Sequence, residues 1–268
     1  MLKLRKTAKE TDMKFGAQLF SINNKCQSAE DIRATLKKMK EIGYESVQLS
    51  GFPYDAEATR AAADEVGIHI GLTHTPIPDI INNTDEVIRK HLITGADTVG
   101  VGFPAGYIED GKIRYEDLVR DLSPAVEKIQ AAGLNFAYHN HHYEFFDLGG
   151  FTVMDYLYEN TNWNFILDAG WVYYTGTDVP ATIRRFADRL KYVHLKDFRV
   201  PLETAETDWG IVSLYEGGID WDEIIRTLIE VGTTEIAYIE QDTASKRPDP
   251  YGEMEKSFRQ LVAHGWVK

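Results

Sequence analysis

Eight times along this chain a short apolar run gives way to a longer amphipathic segment, and that alternation sharply limits the folds available to it. The runs fall at residues 15–20, 47–49, 68–73, 98–103, 135–141, 164–169, 190–195 and 236–240. They are nearly continuous in apolar residues, as expected of parallel strands covered on both faces. The amphipathic segments fall at 28–43, 55–67, 84–95, 115–133, 153–159, 178–188, 220–232 and 253–265. Six of them stop at a glycine (Gly43, Gly67, Gly95, Gly133, Gly232, Gly265), the residue best suited to a left-handed helix end. Ser28 with Asp31, and Asp220 with Glu223, have the spacing of helix-capping pairs. Alternating strands and helices imply parallel pairing through right-handed crossovers. Eight such units predict an α/β protein of one domain, a closed (β/α)8 barrel over residues 14–268 behind a loose tail at 1–13. Gly16-Ala17-Gln18 follows the first apolar residues in place of a G-x-G-x-x-G loop, which disfavours a dinucleotide fold.

In such a barrel the loops after the strands form the active face. The stretch Tyr138-His139-Asn140-His141-His142-Tyr143-Glu144-Phe145 crowds three of the chain's eight histidines and a carboxylate at one strand end. Three later runs also end in ionisable residues: Asp168 after Phe165-Ile166-Leu167, His194 after Tyr192-Val193, and Glu240 after Tyr238-Ile239. Singly, each reads as a cap or a satisfied core group. Together, with Glu144 or a neighbouring histidine supplying strand five, they read as one ligand set. Carboxylates meeting at a barrel mouth repel one another unless a cation intervenes. An oxygen-rich set with an imidazole suits one divalent metal ion, Mn2+ first, with Mg2+, Co2+ or Zn2+ also compatible.

Composition narrows the partners. The net charge of −13 provides no basic face for a nucleic acid or an anionic membrane surface. No run approaches a membrane span in length, and the first ten residues lack the apolar core of a signal peptide. The single cysteine, Cys26, cannot close an internal disulfide, so a reducing, cytoplasmic setting is expected. A homo-oligomer is compatible with the sequence.

At these residues the chain resembles the sugar phosphate isomerase/epimerase family, the xylose isomerase-like TIM barrels, in the branch carrying Tyr-His-Asn-His-x-x-Glu-Phe. That motif stands at Tyr138 to Phe145. Gly16-Ala17-Gln18-Leu19-Phe20, Leu167-Asp168-Ala169-Gly170-Trp171-Val172, Val193-His194-Leu195-Lys196-Asp197 and Ile239-Glu240-Gln241-Asp242 are similar to further segments of it. The resemblance implies metal ligands Glu144, Asp168, His194 and Glu240, with His139 or His141 able to stand in for Glu144. It also implies proton transfer next to a carbonyl, in which a Lewis acid and a base cooperate. His139 and His141, two apart and so on one strand face, are the expected bases, with His142 pointing away. Glu144 and Glu240 are further bases, and Lys196 a donor to a leaving oxygen. His74, Trp171, Phe20 and Phe52 are expected at the substrate, with Phe103, Tyr173 and Trp209 as further stacking surfaces. His69, His91 and His264 read as structural.

Residues 196–222 hold two basic against seven acidic residues, a poor phosphate site. The expected substrate is therefore a non-phosphorylated keto-sugar or polyol, and the expected enzyme an isomerase or epimerase. A lyase of the same fold, acting on an inosose or a 3-keto-glycoside, begins with the same proton removal. A sugar-binding pseudoenzyme is the remaining alternative.

Overall fold

A computed structural model describes residues 13–267. Apart from Met13, the expected tail lies outside the described residues. Eight parallel strands close a barrel: β1 (Lys14–Gln18), β2 (Ser46–Leu49), β3 (His69–His74), β4 (Thr98–Val101), β5 (Asn135–His139), β6 (Asn164–Asp168), β7 (Leu190–Leu195) and β8 (Ile236–Ile239). Each pairs with its sequence neighbours, and β8 returns to β1 with Phe15 opposite Ala237.

The long outer helices include α1 (Ala29–Ile42), α2 (Ala56–Val66), α3 (Thr84–Thr94), α4 (Tyr115–Ala131), α5 (Trp221–Val231) and α6 (Pro250–Ala263). The Ser28 and Asp220 side chains accept the backbone N–H groups of Asp31 and Glu223, so both helix starts are capped as their spacing implies. All six helix-ending glycines have positive φ, between 67° and 122°. Three strands, β1, β4 and β5, end two residues before their apolar runs do, and two of these early ends shape the site. β1 stops at Gln18, whose side chain accepts the Phe20 N–H and turns the chain into a 3-10 segment, Leu19–Lys25. β5 stops at His139, leaving His141 on the loop and Glu144 in the 3-10 turn Tyr143–Phe145. A short helix, Ile77–Asn82, arises where no helix was expected.

Side-chain parity sets the two cores. Outward residues such as Phe136, Tyr138, Leu167, Val193 and Ile239 pack in the layer beneath the helices. Inward residues form a separate plug of Leu72, Ala137, Ile166, Tyr192, Ile236 and Tyr238. Tyr238 fits because Gly16 and Gly71 lack side chains: a Cβ at either would overlap its ring or hydroxyl. Gly71 is also the residue skipped in the β2–β3 register, where Val47 faces Ile70 and Gln48 faces Leu72.

Candidate functional site

The site is the next inward layer above the plug. With a period of two, the residue two beyond each inward residue also faces inward. Ala137 leads to His139, Ile166 to Asp168, Tyr192 to His194 and Tyr238 to Glu240. By the same count Gln18, Gln48 and His74 join from β1, β2 and β3. His139, Asp168, His194 and Glu240 are buried, and one donor atom from each lies within 4.8 Å of the others. Donors on opposite sides of one ion stand roughly 4–5 Å apart, so the four could hold a metal ion.

Local bonds orient these groups. His139 Nδ1 lies 3.1 Å from the Gly102 carbonyl, which can only accept, so Nδ1 carries the hydrogen and Nε2 is left bare. That Nε2 faces Asp168 Oδ2 at 3.5 Å and makes no hydrogen bond among the described residues, whereas Asp168 Oδ2 also meets the Lys196 ammonium at 3.0 Å. Asp168 spends its other oxygen accepting the Trp171 N–H at 3.0 Å. Asn140 ties β5 to β6, accepting the Asp168 N–H at 2.9 Å and donating to its carbonyl at 3.3 Å. His194 lies 2.7 Å from Glu240 Oε2 through Nδ1 and 2.7 Å from Gln48 Oε1 through Nε2. Burial lowers the His194 pKa to about 3, so the ring is neutral and cannot donate from both nitrogens. Gln48 Nε2 has no partner among the described residues, and an amide turned end for end would donate to the bare imidazole nitrogen.

Lys196 is buried, its Nζ 3.0 Å from Asp168, 3.1 Å from Asp242 and 3.3 Å from Glu240. Burial works against its charge, but the Asp168, Asp242 and Glu240 carboxylates outweigh that and raise the ammonium above the ordinary lysine range. Three carboxyl groups crowd this one ammonium in a confined space, so acidic groups outnumber basic ones there. Burial and the Glu240 and Asp168 charges, against the pull of Lys196, push Asp242 up to about 7. Burial likewise raises Glu240. It drives His74, His139 and His141 well below the usual imidazole range, so all three are neutral.

Above this layer opens a cavity of about 540 Å3, lined by Gln18, Phe20, His74, His139, His141, Trp171, Lys196 and Glu240 among others. Asp168 and His194 are fully buried beside it. Glu144, expected as a ligand and base, is outside both the four-residue cluster and the cavity lining. Its carboxylate accepts the Tyr138 hydroxyl at 2.8 Å and the His141 N–H at 2.7 Å. Tyr138 points outward, and Glu144 goes with it. His142, expected to point away, instead lines the cavity, with its ring 5.1 Å from Trp209 and 5.2 Å from Trp171. Strand alternation no longer governs it once β5 has ended. Phe52 and Tyr173 pack against the outer core and do not line the cavity, whereas Phe103 and Trp209 do. Gln18, Gln48 and Asp242 were not expected at the site; strand parity marks the two glutamines, while Asp242 lies beyond the end of β8.

His91 is a buried core histidine between Thr73 and Val87, while His264 pairs with Asp222 at the surface. No helix among the described residues is long and apolar enough to cross a membrane.

A closed parallel barrel with an acid-and-imidazole cluster at its C-terminal mouth defines the class of fold. The xylose isomerase-like TIM barrel family description matches residues 36–261, and the chain belongs to that family. Over 171 residues it is 30% identical to an inosose dehydratase of Geobacillus kaustophilus, covering 56% of this chain and 53% of that protein. The chain thus spans about half the length of that curated relative. In structure it is similar to a sugar phosphate isomerase/epimerase from Parabacteroides distasonis, with TM-score 0.78 at 19% identity, covering 100% of this chain and 98% of the other. It is also similar to an L-ribulose 3-epimerase, with TM-score 0.72 at 16% identity, covering 95% and 94%. Epimerases and dehydratases both occur among these relatives.

Proposed function

We propose that this protein is a divalent-metal-dependent isomerase or epimerase that moves a proton next to the carbonyl of a non-phosphorylated keto-sugar or polyol. The observation that carries the reading is a set of unsatisfied polar atoms around one cavity. His74 Nε2, His139 Nε2, His141 Nδ1, His142 Nδ1, Trp171 Nε1 and Asp242 Oδ1 are buried without a hydrogen-bond partner among the described residues, and all six residues line the cavity. Such atoms are costly unless a ligand completes them, and a polyhydroxylated ligand supplies donors and acceptors together.

His139, Asp168, His194 and Glu240 would hold the cation, and two imidazoles with two carboxylates suit a divalent one. When bound, the ion supplies Lewis acidity toward a substrate oxygen. The bare His139 Nε2, 3.5 Å from Asp168 Oδ2, fits that assignment and leaves His141 as the base. His141 is neutral and lines the cavity, and the bond from its N–H to Glu144 holds its loop in place. Lys196 keeps an ammonium at the cavity floor, where it can donate to a substrate oxygen. Among the described residues the lining holds no other lysine or arginine, which disfavours a phosphate group. The inosose dehydratase relative favours a lyase as second reading, since elimination starts with the same proton removal.

The test is proton exchange in D2O, followed by NMR across keto-sugars and inososes with Mn2+ added. Deuterium entering one carbon position without loss of a hydroxyl is the expected result. Release of water would establish the lyase. No exchange on any member of the panel would overturn both.

A further inference from the structure

The cavity has two kinds of wall. Its unpaired polar atoms belong to buried positions on the floor and sides. Its mouth is formed by exposed apolar groups: Phe20, 38% exposed, and Phe103, 45% exposed, with Pro76, Pro78 and Ala105. Both phenyl rings are placed by their surroundings. Phe20 lies against Gly51, where a side chain would collide with the ring. Phe103 stands edge-on to His141, ring centres 5.1 Å apart and planes at 84°. An apolar group touching Phe103 is therefore next to the imidazole that serves the sugar.

The side chains of Phe20, Phe103, Pro76, Pro78 and Ala105 offer no hydrogen bonds to hydroxyl groups. Pro76 and Pro78 have no N–H to offer, and the Thr75 hydroxyl already spends one bond on that of Thr73 at 2.8 Å. A second sugar ring would lose its water there without replacement, whereas a planar apolar group would not. The volume, about 540 Å3, falls in the range of roughly 300–1,000 Å3 typical of sites for drug-sized ligands.

Resting on the keto-sugar reading above, we infer that the substrate carries an aromatic substituent: the sugar occupies the polar floor and the aryl group sits between Phe20 and Phe103. The experiment compares phenyl, methyl and glucosyl 3-keto-β-glucosides with Mn2+-loaded enzyme, in wild type and in Phe20→Ala and Phe103→Ala. In wild type, kcat/KM for the phenyl compound should exceed that for the methyl compound by about tenfold or more (about 1.4 kcal/mol). The glucosyl compound should show no such gain. Each substitution should collapse the phenyl-over-methyl ratio severalfold, mainly through KM.

Equal values for phenyl and methyl would overturn the inference while leaving the keto-sugar reading intact. A phenyl preference that survives both substitutions, or is matched by the glucosyl compound, would overturn it as well. If none of the three compounds and no simple keto-sugar reacts, the functional reading itself fails and the inference with it.

Discussion

Replacing Glu144 by glutamine separates two roles that the sequence motif cannot distinguish. The carboxylate is fully buried and takes two hydrogen bonds, from the Tyr138 hydroxyl and the His141 N–H. A glutamine can keep both, its carbonyl accepting from His141 and its amide donating to the Tyr138 oxygen. What changes is charge. Burial, opposed by those two bonds, pushes the Glu144 carboxyl from 4.5 up to about 7. The folded state therefore holds its proton more tightly than the unfolded chain. The associated stability is fully present below pH 4.5 and is lost as the pH rises through about 7.

Between pH 5 and 8 that loss amounts to about 2–3 kcal/mol, and Glu144→Gln is spared it. Urea titrations of both proteins at the two pH values should show the variant gaining on wild type by that amount, since unrelated titrations cancel in the difference. Glu144→Ala, which leaves both donors unpaired, should lose about 2–4 kcal/mol at either pH. Divalent-cation affinity should be unchanged in the glutamine variant. A pH-independent difference would refute the burial argument, and a folded Glu144→Gln protein unable to bind the cation would return the carboxylate to the ligand set.

Further outcomes follow from the same structure. His91 is buried, and burial lowers its pKa to about 4, so its contribution is present above pH 6.5 and lost as the pH falls. Wild type should lose about 2–3 kcal/mol more than His91→Gln between pH 7 and 4.5, read by urea titration. Chelator-treated protein should bind one equivalent of Mn2+ by calorimetry. It should gain about 2.7 kcal/mol of stability at a hundredfold excess over Kd, and His139→Ala or Asp168→Asn should abolish both effects. Gly71→Ala should cost about 1–3 kcal/mol in thermal denaturation because its methyl group overlaps the Tyr238 hydroxyl, and adding Tyr238→Phe should recover part of the loss.

The barrel was legible in the sequence because each strand–helix unit is local: apolar run, amphipathic face and capping glycine all fall within some thirty residues. Asp168, His194 and Glu240 were legible for the same reason, each closing an apolar run whose direction fixes the end of the barrel it reaches. The strand-five position was not. Whether His139 or Glu144 faces the centre depends on where β5 stops and on Tyr138 pointing outward, and both are set by packing against neighbouring elements. Lys196 shows the limit most clearly. Its three carboxylate partners lie 28, 44 and 46 residues away on or just beyond β6 and β8, so no local window shows that this lysine is buried and matched. Closure of the barrel brings those strand ends to one point, and only then do burial and mutual repulsion decide which groups stay charged.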